Sequence, residues 1–197
     1  NRLWDNYIAY LGNHENAGWS CNMNPNKAAN LANQIVTDVN RYGFDGVNID
    51  DEYSTCSGYG KSFYNVVNYI KTATKFQGKT ISKDLWKDSQ YFQGTYNIAP
   101  LLNQGYEMTY NGKVANLKKY VQAGMSYQNL FFGISPENNP INQVKNLSKS
   151  VISSGYQGMM IWAPNNFFAN NTTKAANYYT NIAQGEYGDT EQVIFQQ

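Results

Sequence analysis

Histidine and cysteine are rare in this sequence, and charge is scarce. The 197 residues include 1 histidine and 2 cysteines, too few for a zinc site built from imidazole and thiolate ligands. We therefore expect no metal and no other cofactor. The net charge is +1, and charged residues make up 15% of the chain. The sequence therefore lacks the excess of positive charge that is typical of proteins that bind nucleic acid or an anionic membrane. No apolar run is long enough to span a membrane.

The two cysteines lie in separate polar loops. Cys21 follows the first predicted strand and Cys56 follows the second. Because adjacent strands would place these loops side by side, a disulfide is one interpretation, and two reduced, buried thiols are the other. The residue pattern leaves both open.

Aromatic residues are abundant by contrast. They make up 15% of the chain, with 17 tyrosines and 4 tryptophans. So many rings suit a surface that stacks on sugars, although tyrosine is also ordinary packing material.

The length favours a single domain over residues 1–197. The chain starts at Asn1 with a predicted strand close behind it and no signal peptide. We interpret this start as the end of a removed or unobserved segment.

Strand-like apolar segments alternate with helical patterns along the chain. Residues 25–39 have the 3.6-residue period of an amphipathic helix, and Asn24 before them is a suitable cap. Alternation of this kind predicts an α/β fold with a parallel sheet. The six predicted strands cover residues 7–11, 44–49, 94–99, 105–110, 129–134 and 156–163.

The second predicted strand carries a concentration of acidic and amide side chains. Successive strand residues point to opposite faces, so Asn48, Asp50 and Glu52 share one face. Like charges held this close raise one pKa, so that one carboxyl can stay protonated and act as an acid. The alternative is a strand end with solvated loop acids.

This stretch resembles the signature of family 18 glycoside hydrolases, Asp-Gly-x-Asp-x-Asp-x-Glu. The signature maps onto Asp45, Gly46, Asn48, Asp50 and Glu52. Asn48 departs from it, because the family has an aspartate there that helps to share a proton. The departure puts the pH profile in question more than the activity. The terminal glutamate, which lectin relatives typically lose, is present as Glu52.

The resemblance implies a (β/α)8 TIM barrel. Residues 12–14, Gly-Asn-His, follow the strand at 7–11 and resemble the third strand of the endo-β-N-acetylglucosaminidases within this family. The match therefore begins at the third strand of the barrel, and the first two βα units of the barrel lie before it. We expect an N-terminally incomplete barrel, because a complete one usually needs about 250 residues.

Two later motifs extend the resemblance. Met108, Tyr110 and Asn111 match the family's sixth-strand pattern Met-x-Tyr-Asp, with asparagine for aspartate. Trp162 ends the last predicted strand, where the family places a tryptophan under the reacting sugar; simple packing is the alternative. The predicted sugar-contacting residues are Asn13, His14, Asn48, Tyr96, Asn97, Asn111 and Trp162.

The resemblance also implies substrate-assisted, retaining catalysis. Glu52 would protonate the glycosidic oxygen, and the substrate's own acetamido oxygen would attack the anomeric carbon. Asp50 would orient the acetamide, and the Tyr110 hydroxyl would hold it.

Three functions compete for this chain. The first is an endo-β-N-acetylglucosaminidase that cuts the chitobiose core of N-linked glycans, the second a chitinase, and the third a non-catalytic carbohydrate-binding module. Glu52 argues against the third. The expected partner is an N-glycan or a chitin-type oligosaccharide, with no nucleic acid and no membrane span, and the expected location is secreted or cell-surface.

Overall fold

The computed structural model describes residues 7–13, 23–52 and 59–194. Its strands are β1 (Ile8–Asn13), β2 (Gly46–Asp51), β3 (Thr80–Leu85), β4 (Gln104–Glu107), β5 (Leu130–Ile134) and β6 (Gly158–Ile161). Its α-helices are α1 (Pro25–Arg41), α2 (Tyr59–Thr72), α3 (Lys118–Gln122), α4 (Ile141–Ser153), α5 (Pro164–Phe168) and α6 (Thr172–Tyr187).

The six strands form one sheet whose order follows the chain, from β1 to β6. β1 pairs with β2, β2 with β3, and β5 with β6, each in parallel. Helices or short helical turns connect successive strands. The predicted α/β fold with parallel strands is confirmed. Within the described residues the strand order is open rather than closed, as expected for six of the eight units of a barrel.

The described residues fall into two compact units. The first runs to Gly105 and includes Gln122–Met125, and the second comprises Tyr106–Val121 and the residues from Ser126 onward. A single domain over 1–197 stays a prediction.

In the first unit, α1 forms as predicted. Asn24 caps it, and the Asn24 side chain accepts a 2.9 Å hydrogen bond from the Lys27 main chain. The helix buries its apolar stripe at helical spacing. The buried residues are Ala28, Ala32, Val36 and Val39.

Glycine lets β2 lie close to β3. A Cβ added at Gly46 would collide with the main-chain carbonyl oxygen of Thr80. The glycine of the signature therefore has a packing reason at the start of β2.

The prediction of a strand at residues 94–99 is wrong. Short 3-10 turns occupy Gly94–Tyr96 and Ala99–Leu101, and the strand is β3 instead. Lys83 interrupts the apolar pattern of β3, yet it is fully buried and forms a 2.9 Å ion pair with Asp88. A buried ion pair looks like polar surface in a sequence, and this hides the strand from a hydrophobic pattern.

In the second unit, β5 is buried along most of its length, as its apolar run predicts. α4 packs beside α6, and the Ser148 hydroxyl donates a 2.9 Å hydrogen bond to the Ile182 carbonyl. The Tyr178 hydroxyl donates to the Asn139 carbonyl at 2.8 Å. Among the described residues, no helix is both long and apolar enough to cross a membrane.

Candidate active site

The candidate site lies on one face of β1, β2 and β3, toward their C-terminal ends. The register pairs Tyr10 with Asn48 and Asn48 with Ser82, so these three residues form a row across the strands. Gly12 pairs with Asp50 two residues farther on. In parallel α/β folds this end of the sheet carries the site.

Asp50 is the most enclosed acid on this face, with 3% of its surface exposed. Its Oδ2 accepts a 2.6 Å hydrogen bond from the Tyr10 hydroxyl. Its Oδ1 is buried and has no hydrogen-bond partner within the described part of the chain. A buried acceptor without a donor is costly, so this oxygen is placed to receive a donor from a ligand.

Gly12 leaves room for the ring of Tyr10. A Cβ added at Gly12 would lie 2.7 Å from the Tyr10 hydroxyl oxygen, which is too close for an unbonded contact. Glycine therefore leaves the space through which Tyr10 reaches Asp50. Tyr10 as a whole is 57% exposed. Loss of solvent around its hydroxyl, followed by the hydrogen bond to Asp50 and the charge of Asp50, raises the pKa of Tyr10, so the hydroxyl stays a donor.

Asn48 joins β2 to β3 through both ends of its side-chain amide. Its Oδ1 accepts a 2.7 Å hydrogen bond from the Ser82 hydroxyl, and its Nδ2 donates a 2.7 Å hydrogen bond to Oδ2 of Asp84. These two partners fix which end of the amide faces which group.

Asp84 brings a further carboxyl to the site. It is 8% exposed, and its pKa is raised to about 7, chiefly by burial. The Asn48 hydrogen bond and the Lys83 charge act to lower this pKa, and the charges of Asp50 and Glu52 contribute to raising it. Sequence reasoning missed Asp84, Ser82 and Tyr10.

Glu52 follows β2 directly and is half-buried. Its charge raises the pKa of both Tyr10 and Asp84, so it lies within electrostatic reach of both. Asp50 and Glu52, the two predicted catalytic acids, thus share their surroundings with Asp84.

Asp51 faces the other side of β2 and accepts a hydrogen bond from the Tyr91 hydroxyl. The Lys83 ammonium lies 5.5 Å from the centre of the Tyr91 ring and also donates to the Asp84 carbonyl at 2.7 Å. This buried polar layer holds the strand ends that carry the acids.

In the second unit, Tyr110 and Trp162 stack with ring centroids 6.0 Å apart. Tyr110 has a left-handed backbone, with φ of 55°, and Ala163 after Trp162 has φ of 46°. Conformations of this kind are costly for residues other than glycine and cluster at functional sites. Trp162 is 52% exposed, which argues against a simple packing role.

Both rings border a groove of about 530 Å³. Phe167 supplies a further aromatic surface, and Asn138 and Asn166 supply amide groups. An aromatic wall with amides beside it is suited to a sugar, whose rings stack and whose hydroxyls form hydrogen bonds.

Asn97 and Tyr96, two other predicted sugar contacts, form contacts within the protein. The Asn97 side chain donates to the Ala123 carbonyl at 2.7 Å and accepts from the Ala99 main chain at 2.9 Å, so it holds a turn. Tyr96 is 37% exposed and packs on Tyr64, with ring centroids 5.8 Å apart. Neither ends a strand, contrary to the predicted strand 94–99.

Asn111 is exposed just after β4. Asn13 ends β1, paired in register with Asp51. His14, Cys21 and Cys56 lie outside the described residues, so their predicted roles stay predictions. In the part of the chain that the structure describes, no group of three acids, histidines or cysteines could hold a metal ion.

Solved structures resemble the chain over most of its length. A chitinase from Bacteroides thetaiotaomicron superposes with a TM-score of 0.67 at 14% identity, covering 88% of this chain and 73% of that one. A family GH18 chitinase from the fern Peteris ryukyuensis gives 0.66 at 15% identity, covering 90% and 72%. The chain has the fold of these enzymes.

An endo-β-N-acetylglucosaminidase from Cordyceps militaris gives a TM-score of 0.61 at 16% identity, covering 93% of this chain and 69% of that one. No sequence-family profile matches the chain. The fold agrees with the resemblance read from residues 45–52, although the overall identity to these structures is low.

Proposed function

We propose that the protein is an endo-β-N-acetylglucosaminidase, which hydrolyses the β-1,4 bond in the N,N′-diacetylchitobiose core of N-linked glycans. The observation that carries the proposal is the state of Asp50. One carboxylate oxygen accepts the Tyr10 hydroxyl, and the other is buried with no donor from the described ranges 7–13, 23–52 and 59–194. The N–H of a 2-acetamido group supplies the donor that this oxygen lacks.

The proposed reaction is retaining and substrate-assisted. Glu52 donates its proton to the glycosidic oxygen as that bond to the anomeric carbon breaks. The acetamido oxygen forms a new bond to the same carbon, and Asp50 stabilises the positive charge of the resulting oxazolinium ring. Glu52 then takes a proton from the water that opens the ring, which restores both the acetamido group and the acid.

The electrostatics of the first unit support this division of roles. Asp50 is nearly fully buried and bound by Tyr10, whereas Glu52 is half-buried and more accessible to a leaving group. Different surroundings suit two carboxyls to different tasks.

The groove in the second unit supports a sugar as the ligand. Trp162 and Phe167 are exposed aromatic residues that line it, 52% and 40% exposed. In the proposed enzyme Trp162 stacks on a sugar ring. The proposed contact between the Tyr110 hydroxyl and the acetamide rests on the sequence resemblance.

A chitinase is the second candidate, because the structural neighbours include chitinases with TM-scores of 0.67 and 0.66. The deciding experiment compares cleavage of a high-mannose glycoprotein with cleavage of soluble chitin oligomers, using Glu52→Gln as the matched control. Release of the glycan with one N-acetylglucosamine left on the protein supports the proposal. Cleavage of chitin oligomers alone supports the chitinase, and binding without any cleavage supports a carbohydrate-binding module.

We also propose that the protein acts as a secreted or cell-surface protein, since N-glycans and chitin are displayed outside cells. Fractionation of the source cells with an antibody against the chain tests this. Recovery in the cytosolic fraction contradicts it.

A further inference from the structure

Three carboxyls meet at the ends of β2 and β3. Asp50 lies on β2 and Glu52 directly follows it, and Asp84 lies two residues beyond Ser82 on the same face of β3. The charges of Asp50 and Glu52 both act on Asp84, so all three form one electrostatic cluster. The proposed reaction uses two of these acids and leaves Asp84 without a role.

Asp84 is held firmly rather than solvated. Its Oδ2 accepts the Asn48 amide at 2.7 Å, and that amide is fixed in turn by the Ser82 hydroxyl at 2.7 Å. The neighbouring Lys83 ammonium donates to the main-chain carbonyl of Asp84 and forms its ion pair with Asp88. The Asp84 carboxyl is therefore tied to the catalytic strand by Asn48.

The charged and titratable groups around Asp84 come from three strands and the segment after β3. They are Tyr10 on β1, Asp50 and Glu52 on or after β2, and Lys83 with Asp88 from β3 onward. The Lys83 charge acts on Asp84, and the ion pair of Lys83 with Asp88 offsets that charge. The balance leaves the pKa of Asp84 near the middle of the physiological range.

We propose that Asp84 is a positioning residue for the reaction, which holds Asn48 in place and adjusts the charge around Asp50 and Glu52 by gaining or losing its own proton. This inference rests on the proposed function. When Asp84 is protonated, the cluster carries less negative charge and Glu52 ionises more easily. When Asp84 loses its proton to solvent, its charge opposes the ionisation of Glu52. Glu52 then remains available as an acid at higher pH.

The test compares the native protein with Asp84→Asn, which keeps the shape and an acceptor for Asn48. Carboxyl titration by 13C NMR follows Glu52, with its signal assigned through Glu52→Gln. We expect the Glu52 midpoint to fall by roughly 0.5–1 pH unit in Asp84→Asn, as loss of one nearby charge predicts. An unchanged midpoint overturns the proposal, and this readout does not depend on any cleavage activity.

A second variant separates charge from packing. Asn48→Asp/Asp84→Asn moves the acid across to β2 while keeping an amide–carboxyl pair between the strands. We expect the double variant to shift the titration midpoint of Glu52 back toward the native value. The alkaline limb of the pH–rate profile for cleavage should shift back with it. Failure to restore the midpoint in a folded double variant overturns the proposal. Asp189→Asn, an exposed surface acid, serves as the control that leaves the midpoint unchanged.

The same variants distinguish failure of the proposed role of Asp84 from failure of the proposed function. If the native protein cleaves neither glycan nor chitin, the proposed function fails, and the proposed role of Asp84 in the reaction fails with it. The NMR titration still measures the coupling between the acids. If cleavage occurs, and the pH–rate profile of Asp84→Asn has the same alkaline limb as that of the native protein, the proposed function stands and the proposed role of Asp84 is overturned.

Discussion

The hydroxyl of Tyr10 donates a 2.6 Å hydrogen bond to Oδ2 of Asp50, from one strand to the next. Among the residues that the structure describes, Oδ1 of Asp50 has no hydrogen-bond donor, and Tyr10 supplies a side-chain hydrogen bond to this buried carboxyl. Tyr10→Phe removes the hydroxyl and keeps the ring. We expect kcat/KM for glycan cleavage to fall roughly 10- to 100-fold, since hydrogen bonds to charged groups contribute about 1.5–3 kcal/mol.

Tyr42→Phe is the matched control for this variant, because Tyr42 is 63% exposed and takes no part in the proposed site. Its kcat/KM should equal that of the native protein. If Tyr10→Phe also keeps the native kcat/KM, the hydrogen bond to Asp50 has no part in the reaction.

Glu52→Gln should abolish cleavage and keep glycan binding, because it removes the proton but little volume. The measurement is kcat on a glycoprotein beside the Kd for the same glycan. A variant that retains a substantial fraction of the native kcat would remove Glu52 from the role of acid.

Asn48→Asp changes the link between the strands. The amide that donates to Asp84 at 2.7 Å becomes a second carboxyl, and two carboxyls at this distance must share a proton. The added negative charge makes Glu52 harder to ionise, so the alkaline limb of activity should move upward. pH–rate profiles of the two proteins measure this shift, and identical profiles contradict the explanation.

Burial of Asp84 predicts a dependence of stability on pH. Its pKa of about 7 in the folded protein lies above the ordinary value of 3.8, so the folded state binds this proton more tightly than the unfolded state. The resulting stabilisation is complete below about pH 4 and is lost as the pH rises through 7. The free energy of unfolding, measured by urea denaturation, should fall less between pH 4 and pH 8 in Asp84→Asn than in the native protein. An equal loss in both proteins would mean that Asp84 does not titrate in this range.

Part of this site could be predicted from the sequence, because the information lies within one strand. Alternation along residues 44–52 places Asn48, Asp50 and Glu52 on one face. In the structure Asn48 lies in register with Tyr10 and Ser82, and Asp50, two residues farther along β2, accepts the hydrogen bond from the Tyr10 hydroxyl. Asn24 also caps its helix as expected, since a cap depends on residues a few positions away.

The remainder depends on partners that are distant in sequence. Asp84 lies 36 residues from Asn48, and nothing near Asp84 in the chain marks it as a partner of the signature. The strand that carries it is hidden by Lys83, whose burial depends on Asp88. The sequence predicts Asn97 as a sugar contact, yet its side-chain amide donates a hydrogen bond to the carbonyl of Ala123.

Trp162→Ala tests the groove in the second unit. Trp162 is 52% exposed and stacks on Tyr110, so its loss should change stability little. In the proposed enzyme it covers one face of a sugar and hides that face from water. We expect a loss of about 2–4 kcal/mol in kcat/KM, comparable with large aromatic truncations. The measurement is kcat/KM and Tm on the same preparation.

Tyr127→Ala is the control for Trp162→Ala. Tyr127 is also exposed, at 42%, and packs on another ring, Tyr156, with centroids 5.1 Å apart, but it does not line the groove. A sugar-binding role predicts that the kinetic loss appears in Trp162→Ala and not in Tyr127→Ala, at similar Tm values. A packing role predicts the reverse for Trp162: a lower Tm with near-native kinetics in the folded fraction. A kinetic loss below about threefold, roughly 0.65 kcal/mol, would place the sugar elsewhere than on this tryptophan.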